Sequence, residues 1–204
     1  GVPDLGDVLM LPFCKGLETF KSGFDKEGEE ASPGFYKVYL TDAGVRAEMS
    51  ATAHAAIHSF KYDQPGDARL LIDFQNRLVT THIVDSGQSL DDEYHISGWA
   101  RSNVWVDRCY YYEIEFDHPV VSKEVLPLRD PKEKAPRWVL GLDLGTDSTL
   151  VAKISVSPTG IEGAKRNIEA EIPGWNLDKV RKRTSREWNK FLSLIEIEGT
   201  EEQI

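Results

Sequence analysis

The sequence predicts a mostly β protein, an antiparallel β-sandwich followed by a C-terminal helical arm. Apolar and polar residues alternate with a period of two in Val45–Ala53, Tyr112–Phe116 and Thr149–Val156, which is typical of strands with one buried face. Turn residues separate many such short runs, and this spacing favours a sandwich over a parallel α/β sheet. From Leu177 to Ile195 the apolar spacing changes to three and four residues, as on one side of a helix.

Other strands are predicted where apolar runs lie between turn signals. They are Val8–Leu11, Phe35–Leu40, Ala55–Tyr62, Arg69–Phe74, Leu78–Val84, His95–Ala100 and Arg137–Leu142. The turn signals include Thr41–Gly44, Pro65–Asp67, Ser86–Gly87 and Asp117–Pro119. Lys15–Pro33 and Lys123–Pro136 are rich in turn-forming and charged residues, and both are predicted to be surface loops.

The arm, Ile161–Gly199, is predicted to form two amphipathic helices joined by a Pro-Gly-Trp corner. Asn176 is a plausible N-cap for the second helix. That helix carries one apolar stripe, made of Leu177, Val180, Thr184, Trp188, Phe191 and Ile195. The pattern leaves two alternatives open, a stripe that packs on its own sandwich and a stripe that docks on another domain.

Composition limits the partners of the chain. It has 204 residues and a formal net charge of −10, which argues against nucleic-acid phosphates and anionic membrane surfaces. No apolar run approaches the ~20 residues that span a bilayer. Because the chain begins Gly-Val-Pro, without an initiator Met or a signal-peptide pattern, we expect it to be processed or cut from a longer sequence.

Several chemical motifs have a simple structural interpretation. Cys14 and Cys109 are in no metal-ligand spacing, and two free thiols or one disulfide are both possible. His54 and His58 share one side of a predicted strand, and we favour a structural role over metal binding. The Gly141–Ser148 segment resembles the phosphate-binding hairpin of sugar kinases and actin-like ATPases, but only 56 residues follow Ser148. We therefore predict an ordinary β-turn between strands 137–142 and 149–156.

Sugar-binding candidates lie near the N-terminus. Asp4 and Asp7 flank Gly6, and such a short acidic loop can direct oxygens at sugar hydroxyls or a cation, or simply cap a turn. The loop aromatics Phe20, Phe24 and Trp175 could stack on a sugar ring. Carboxylates are too numerous for a hydrolytic pair to be chosen, and no P-loop, dinucleotide fingerprint or nucleophile elbow is present.

An ordered series of motifs resembles glycoside hydrolase family 92. The most specific matches are Glu162–Lys165, Asn167, Glu169–Trp175, Trp188–Asn189 and Ile195–Gly199. Earlier matches, in the family's order, are Asp4–Leu9, Ser32–Leu40, Ala47–Thr52 and Ile96–Gly98. Together they cover most of the chain.

The resemblance implies a calcium-dependent, exo-acting α-mannosidase with an inverting mechanism, secreted, periplasmic or at the cell surface. It implies a β-sandwich domain over residues 1–158 and a helical linker over 159–204, leading to an (α/α)6 catalytic barrel that this chain lacks. The catalytic acid and base and the calcium ligands are expected mainly in that barrel, so no catalytic or metal residue is expected in this chain.

The sandwich is expected to form one wall of the pocket for mannose-containing glycans. The substrate-binding candidates in this chain are Gly1, Asp4, Asp7, Phe20 and Phe24. The alternative is a non-catalytic module, either a scaffold for the barrel or a carbohydrate-binding sandwich. The barrel and the glycan are the expected partners, and nucleic acid is not.

Overall fold

The computed structural model describes residues 8–76, 83–103, 107–195 and 199–200. The strands are β1 (Leu9–Cys14), β2 (Glu30–Ser32), β3 (Phe35–Leu40), β4 (Val45–Ala51), β5 (Ala55–Tyr62), β6 (Ala68–Asp73), β7 (Ile83–Leu90), β8 (His95–Asn103), β9 (Asp107–Phe116), β10 (Val120–Val125), β11 (Arg137–Leu142) and β12 (Thr149–Ser157). A short 3-10 turn covers Pro65–Asp67, and two helices follow the strands, α1 (Ile161–Glu171) and α2 (Leu177–Leu192).

The strands form two antiparallel sheets, and the predicted sandwich with a helical arm is confirmed. The small sheet has the order β1-β6-β11-β10, and the large sheet has the order β2-β3-β4-β5-β12-β9-β8-β7. Inward-facing side chains of both sheets form the main core, which includes Phe60, Leu70, Phe74, Tyr112 and Leu140. Phe74 links the sheets by stacking on Tyr112 at 5.2 Å and by meeting Trp138 edge-on at 5.3 Å.

The two helices cover the outer face of the large sheet. Phe35 and Ile57 of that sheet pack with Ile172, Leu177 and Val180 in a second apolar cluster. The polar side of β4 is therefore partly buried, and the Ser50 hydroxyl donates a 2.7 Å hydrogen bond to the Gly34 carbonyl there. The alternation of β4 predicted its inward face correctly but gave no sign that a helix covers the other face.

The structure differs from the sequence prediction around β7. The Ser86–Gly87 pair is not a turn but lies within β7, where Gly87 pairs with Trp99. A Cβ at Gly87 would lie 2.7 Å from Trp99 Nε1, so this glycine allows close packing rather than a reversal of the chain. Most of the predicted strand Leu78–Val84 lies outside the described residues, and β7 begins only at Ile83.

Two strands overlap segments that were predicted as loops, one of them entirely. β2 falls within Lys15–Pro33, and β10 reaches into Lys123–Pro136. Both are edge strands. Five of the six β10 residues are exposed, so its sequence lacks the alternation of a half-buried strand.

The predicted turn at Gly141–Ser148 is confirmed, and it is a connection between the two sheets. It connects β11 in the small sheet to β12 in the large sheet, so the flanking strands are not a hairpin. Asp143 Oδ1 accepts a 2.9 Å hydrogen bond from the Gly145 amide, and Gly145 has a φ of 57°. Glycine suits this left-handed position because it carries no Cβ.

Candidate functional site

The turn between β4 and β5, Thr52–His54, is held by a carboxylate from the helical arm. Glu171 is the last residue of α1. Its Oε2 accepts hydrogen bonds from Thr52 Oγ1 at 2.5 Å and from the His54 amide at 3.0 Å, and its Oε1 lies 2.6 Å from His54 Nδ1. Burial opposes ionisation of Glu171, but these partners outweigh it and lower its pKa. The carboxylate thus joins the end of α1 to a sandwich turn.

The same residue contacts the second helix. The Glu171 backbone carbonyl accepts a hydrogen bond from Arg183 Nη2. Between the helices the chain turns at Pro173–Trp175, and Asn176 Oδ1 then accepts a 2.9 Å hydrogen bond from the Lys179 amide. The N-cap predicted at Asn176 is confirmed. A side-chain cap satisfies an amide that the first turn of a helix leaves unpaired.

Two open cavities flank the Thr52–His54 turn. One, of about 250 Å³, lies between the turn and the C-terminal half of α2, and Trp188 and Phe191 line it. The other, of about 320 Å³, lies between the turn and β12, and Val8 and Val156 line it. We call the turn and the linings of these two cavities the junction surface.

The apolar stripe of α2 is divided into two parts. Leu177, Val180 and Thr184 are buried against the large sheet. Trp188 is 50% exposed and Phe191 70%, and Ile195, which lies beyond the end of α2 at Leu192, is 76% exposed. The first half of the helix packs on its own sandwich, which was the first alternative left by the sequence. The second half has no covering layer among the described residues, so docking on another domain stays open for this half alone.

The predicted substrate-binding residues are not brought together within the described part of the chain. Gly1, Asp4 and Asp7 lie outside the described residues. Phe20 is half-buried on the outer face of the small sheet, 5.7 Å from Phe13 in an edge-to-face contact, with the Arg137 guanidinium 5.6 Å from its ring centre. This ring is held by neighbours inside the protein.

Phe24 and Trp175 are more accessible. Phe24 is half-exposed, and its backbone forms an isolated β-bridge with Leu40. It lies near the β3–β4 turn, at the opposite end of the sandwich from the Thr52–His54 turn. Trp175 lies in the corner between the helices, with Lys153 Nζ 3.8 Å from its ring centre. The role of Phe20 and Phe24 in sugar binding remains a prediction, and Phe24 and the junction surface are on separate parts of the protein.

Histidines and cysteines of the described region show structural contacts. Burial lowers the pKa of His58 to about 4, so its ring is neutral at neutral pH, and it lies 5.7 Å from Phe60. Cys14 and Cys109 are both free thiols. Within the described ranges no group of three His, Cys, Asp or Glu side chains is arranged to hold a metal ion. No described helix is long and apolar enough to cross a membrane.

A second polar cluster forms at the turn that resembled a phosphate-binding hairpin. His118 Nδ1 lies 2.8 Å from Asp117 Oδ1, and His118 Nε2 lies 3.2 Å from Asp147 Oδ2. Asp117 Oδ1 also accepts a 2.8 Å hydrogen bond from the Val151 amide. Burial lowers the pKa of His118, but the two carboxylates outweigh it and raise the pKa overall. The cluster joins the turn to the connection between β9 and β10 and to β12.

Sequence reasoning missed Glu171 and the junction that it organises. Glu171 lies inside the most specific family-like block, Glu169–Trp175, yet nothing in that block shows where its side chain points. Its partners Thr52 and His54 are 119 and 117 residues away along the chain. The one local sign in the sequence was that Glu171 is an acidic residue directly before Ile172-Pro173-Gly174, a segment that ends a helix.

Comparisons with known proteins agree with this architecture. Residues 1–157 match the glycosyl hydrolase family 92 N-terminal domain, and residues 163–204 match the glycosyl hydrolase family 92 catalytic domain. An uncharacterized secreted glycosidase of Arthroderma benhamiae is 23% identical over 242 residues, covering 98% of this chain and 31% of that protein.

Solved structures share the fold. A family GH92 α-mannosidase from Bacteroides thetaiotaomicron superimposes with a TM-score of 0.87 at 21% identity, over 98% of this chain and 30% of that one. A family GH92 inverting mannosidase from the same species gives a TM-score of 0.78 at 19% identity, over 94% of this chain and 27% of that one.

The two-sheet sandwich lies in the segment that matches a glycosyl hydrolase N-terminal domain, and most of the helical arm lies in the segment that matches the catalytic domain. The chain belongs to glycosyl hydrolase family 92. It spans about a third of the length of the relatives that it matches.

Proposed function

We propose that this chain is the N-terminal part of an α-mannosidase that hydrolyses terminal α-linked mannose from glycans. The match of residues 1–157 to the family's N-terminal domain carries the proposal. It is supported by the family GH92 α-mannosidase of similar fold, which has also been solved with mannoimidazole. The secreted relative supports a location outside the cytoplasm.

The chemistry belongs to residues beyond this chain. In an inverting glycosidase one carboxyl protonates the leaving oxygen while another activates water on the opposite side of the ring. The similarity to an inverting mannosidase supports this mechanism. Calcium assistance is part of the proposal, with its ligands on the catalytic domain, and no step of the reaction is assigned to described residues of this chain.

The junction surface gives this chain its role in the whole enzyme. The exposed half of α2 lies in the segment that matches the catalytic domain, and Glu171 fixes that segment to the sandwich. Exposed Trp188 and Phe191 form an apolar area of the kind that marks an interface. We infer that the rest of the catalytic domain packs on the junction surface. We also infer that residues 1–7, which immediately precede Val8 in the sequence, contribute to one wall of the sugar pocket.

Two variants of the full-length parent separate a pocket wall from a scaffold. Asp4→Asn tests the N-terminal segment, and Phe24→Ala tests the loop at the other end of the sandwich. A large fall in kcat/KM of Asp4→Asn with unchanged thermal stability supports the wall, whereas wild-type kinetics of both variants would support the alternative, a scaffold only. The isolated chain is expected to be inactive, and mannoside turnover by its 204 residues would contradict the assignment of the catalysts to the other domain.

A further inference from the structure

A buried carboxyl lies where α1 covers the large sheet. Glu113 is on β9 and pairs in register with Ser97 of β8 and Ser155 of β12. Its strand neighbours Tyr112 and Ile114 point into the main core, so Glu113 points to the opposite face of the sheet, which α1 covers. Glu113 is 2% exposed. An acidic residue of this kind is seldom buried without a partner.

The contact around Glu113 is tight. Ser155 Oγ donates a 2.6 Å hydrogen bond to the Ala164 carbonyl of α1. Gly163 lies so close to β12 that a Cβ there would approach Ser157 Oγ to 2.4 Å. With α1 packed directly on the sheet, Glu113 is almost fully buried.

No partner compensates an ionised Glu113 in the described structure. Its Oε2 is buried and accepts no hydrogen bond, and no described cation lies within ion-pair distance of its carboxyl group. Four charged or titratable groups face it: Lys165 of α1, Asp91, His95 of β8, and Glu115 of its own strand. Lys165 forms an ion pair with Glu162, with 3.9 Å between Lys165 Nζ and Glu162 Oε1. Glu115 forms an ion pair with Lys153, with 2.9 Å between Glu115 Oε2 and Lys153 Nζ.

The protonated form of Glu113 is therefore the one that fits beneath α1. Removing an unpaired carboxylate from water is far more costly than removing a neutral carboxylic acid. Burial raises the pKa of Glu113 to about 7, with Asp91 and Glu115 acting in the same direction and Lys165 and His95 opposing. A group with this behaviour takes up a proton when it is covered and releases it when it is exposed.

We propose that the contact between α1 and the sandwich is proton-dependent, with Glu113 protonated while α1 covers it and ionised when α1 lifts away. The contact joins the segments that match the two family domains, residues 1–157 and 163–204. Protonation of Glu113 thus sets how firmly the helical arm is held on the sandwich. The proposal concerns this chain alone and does not depend on the substrate of the parent enzyme.

Hydrogen exchange of the wild-type chain tests the proposal. The measured quantity is the protection factor of the α1 amides at pH 5 and pH 8. A protection factor compares each amide with an unprotected amide at the same pH, so it is free of the direct effect of pH on the exchange reaction. A shift of the Glu113 pKa from 4.5 to about 7 predicts that protection falls by roughly 100-fold between these pH values. Amides of β5 are the internal reference, and an equal fall there would mean that the proton acts on the whole fold and not on the α1 contact.

Two variants and one titration complete the test. Glu113→Gln is expected to make α1 protection nearly independent of pH, while Glu169→Gln, an exposed change on the same helix, is expected to behave as the wild type. A carbon-13 NMR titration of wild-type Glu113 decides the matter if Glu113→Gln does not fold. A midpoint above pH 6 supports the proposal, and a midpoint at or below pH 6, or equal pH dependence in Glu113→Gln and wild type, overturns it.

Discussion

Glu171 Oε1 lies 2.6 Å from His54 Nδ1, so the last residue of α1 is paired with the turn that connects β4 and β5. The same carboxylate holds Thr52 and the His54 amide through its other oxygen. One side chain therefore makes three contacts that join the helical arm to the sandwich. This relationship explains why the turn and the arm form one surface.

Replacement of Glu171 by Ala should lower the free energy of unfolding by roughly 1–3 kcal/mol, because it removes the acceptor of the His54 amide and leaves the Thr52 hydroxyl with only the Ala55 carbonyl as acceptor. Chemical denaturation at pH 7 measures this, with Glu169→Ala, exposed on the same helix, as a control expected within about 0.5 kcal/mol of wild type. Because the Glu171 pKa is lowered, its contribution is present above the usual carboxyl range and is lost as the pH falls through the folded-state pKa. A loss in Glu171→Ala no larger than in the control would contradict this role.

The sequence predicted those elements of the fold whose patterns are local. Period-two alternation at Val45–Ala53 and Thr149–Val156 predicted the strands observed at Val45–Ala51 and Thr149–Ser157, because each strand has one face in the main core. The cap at Asn176 was predictable for the same reason, since its partner Lys179 is three residues away. The edge strands β2 and β10 were missed because exposure removes alternation from their sequences.

The candidate site was less predictable because its contacts are distant in sequence. Glu171 meets Thr52 across 119 residues, and no periodicity encodes that pairing. The family-like motifs indicated that Glu169–Trp175 is a distinctive segment but not which atoms it contacts. The role of Gly87 was misjudged for a related reason, because its close neighbour Trp99 lies on the adjacent strand.

The division of the α2 stripe predicts two different responses to truncation. Val180→Ala should destabilise the chain by roughly 1–3 kcal/mol, because Val180 is buried against the large sheet. Phe191→Ala should change stability by less than about 0.5 kcal/mol, because its side chain is 70% exposed. Thermal and chemical denaturation of both variants check this, and equal destabilisation would mean that the second half of α2 also packs on the sandwich.

The exposed half of α2 should make the isolated chain self-associate. Trp188 and Phe191 at the C-terminal end of α2, and Ile195 just beyond it, place large apolar side chains in water. Sedimentation velocity over a range of concentrations is expected to show oligomers for wild type and a monomer for a Trp188→Ser, Phe191→Ser variant. A wild-type chain that remains strictly monomeric at high concentration would argue against an interface on this surface.

The His118 cluster predicts a second, independent pH effect. Asp117 and Asp147 raise the pKa of His118 against the effect of burial, so its charged form stabilises the fold. That stability is fully present below the unfolded-state pKa and is lost as the pH rises through the folded-state pKa. Asp147→Asn should lower the His118 pKa in an NMR titration, whereas Asp85→Asn, at an exposed position near the start of β7, should not. An unchanged His118 pKa in Asp147→Asn would contradict the assignment.

The most direct test of the proposed function is an assay of the full-length parent on α-linked manno-disaccharides, first with calcium and then with a chelator. The account predicts release of mannose that depends on calcium, with an inverted product anomer detectable by NMR. If a folded parent releases no mannose under either condition, the family fold serves another substrate, and the interpretation of this chain as part of an α-mannosidase is wrong.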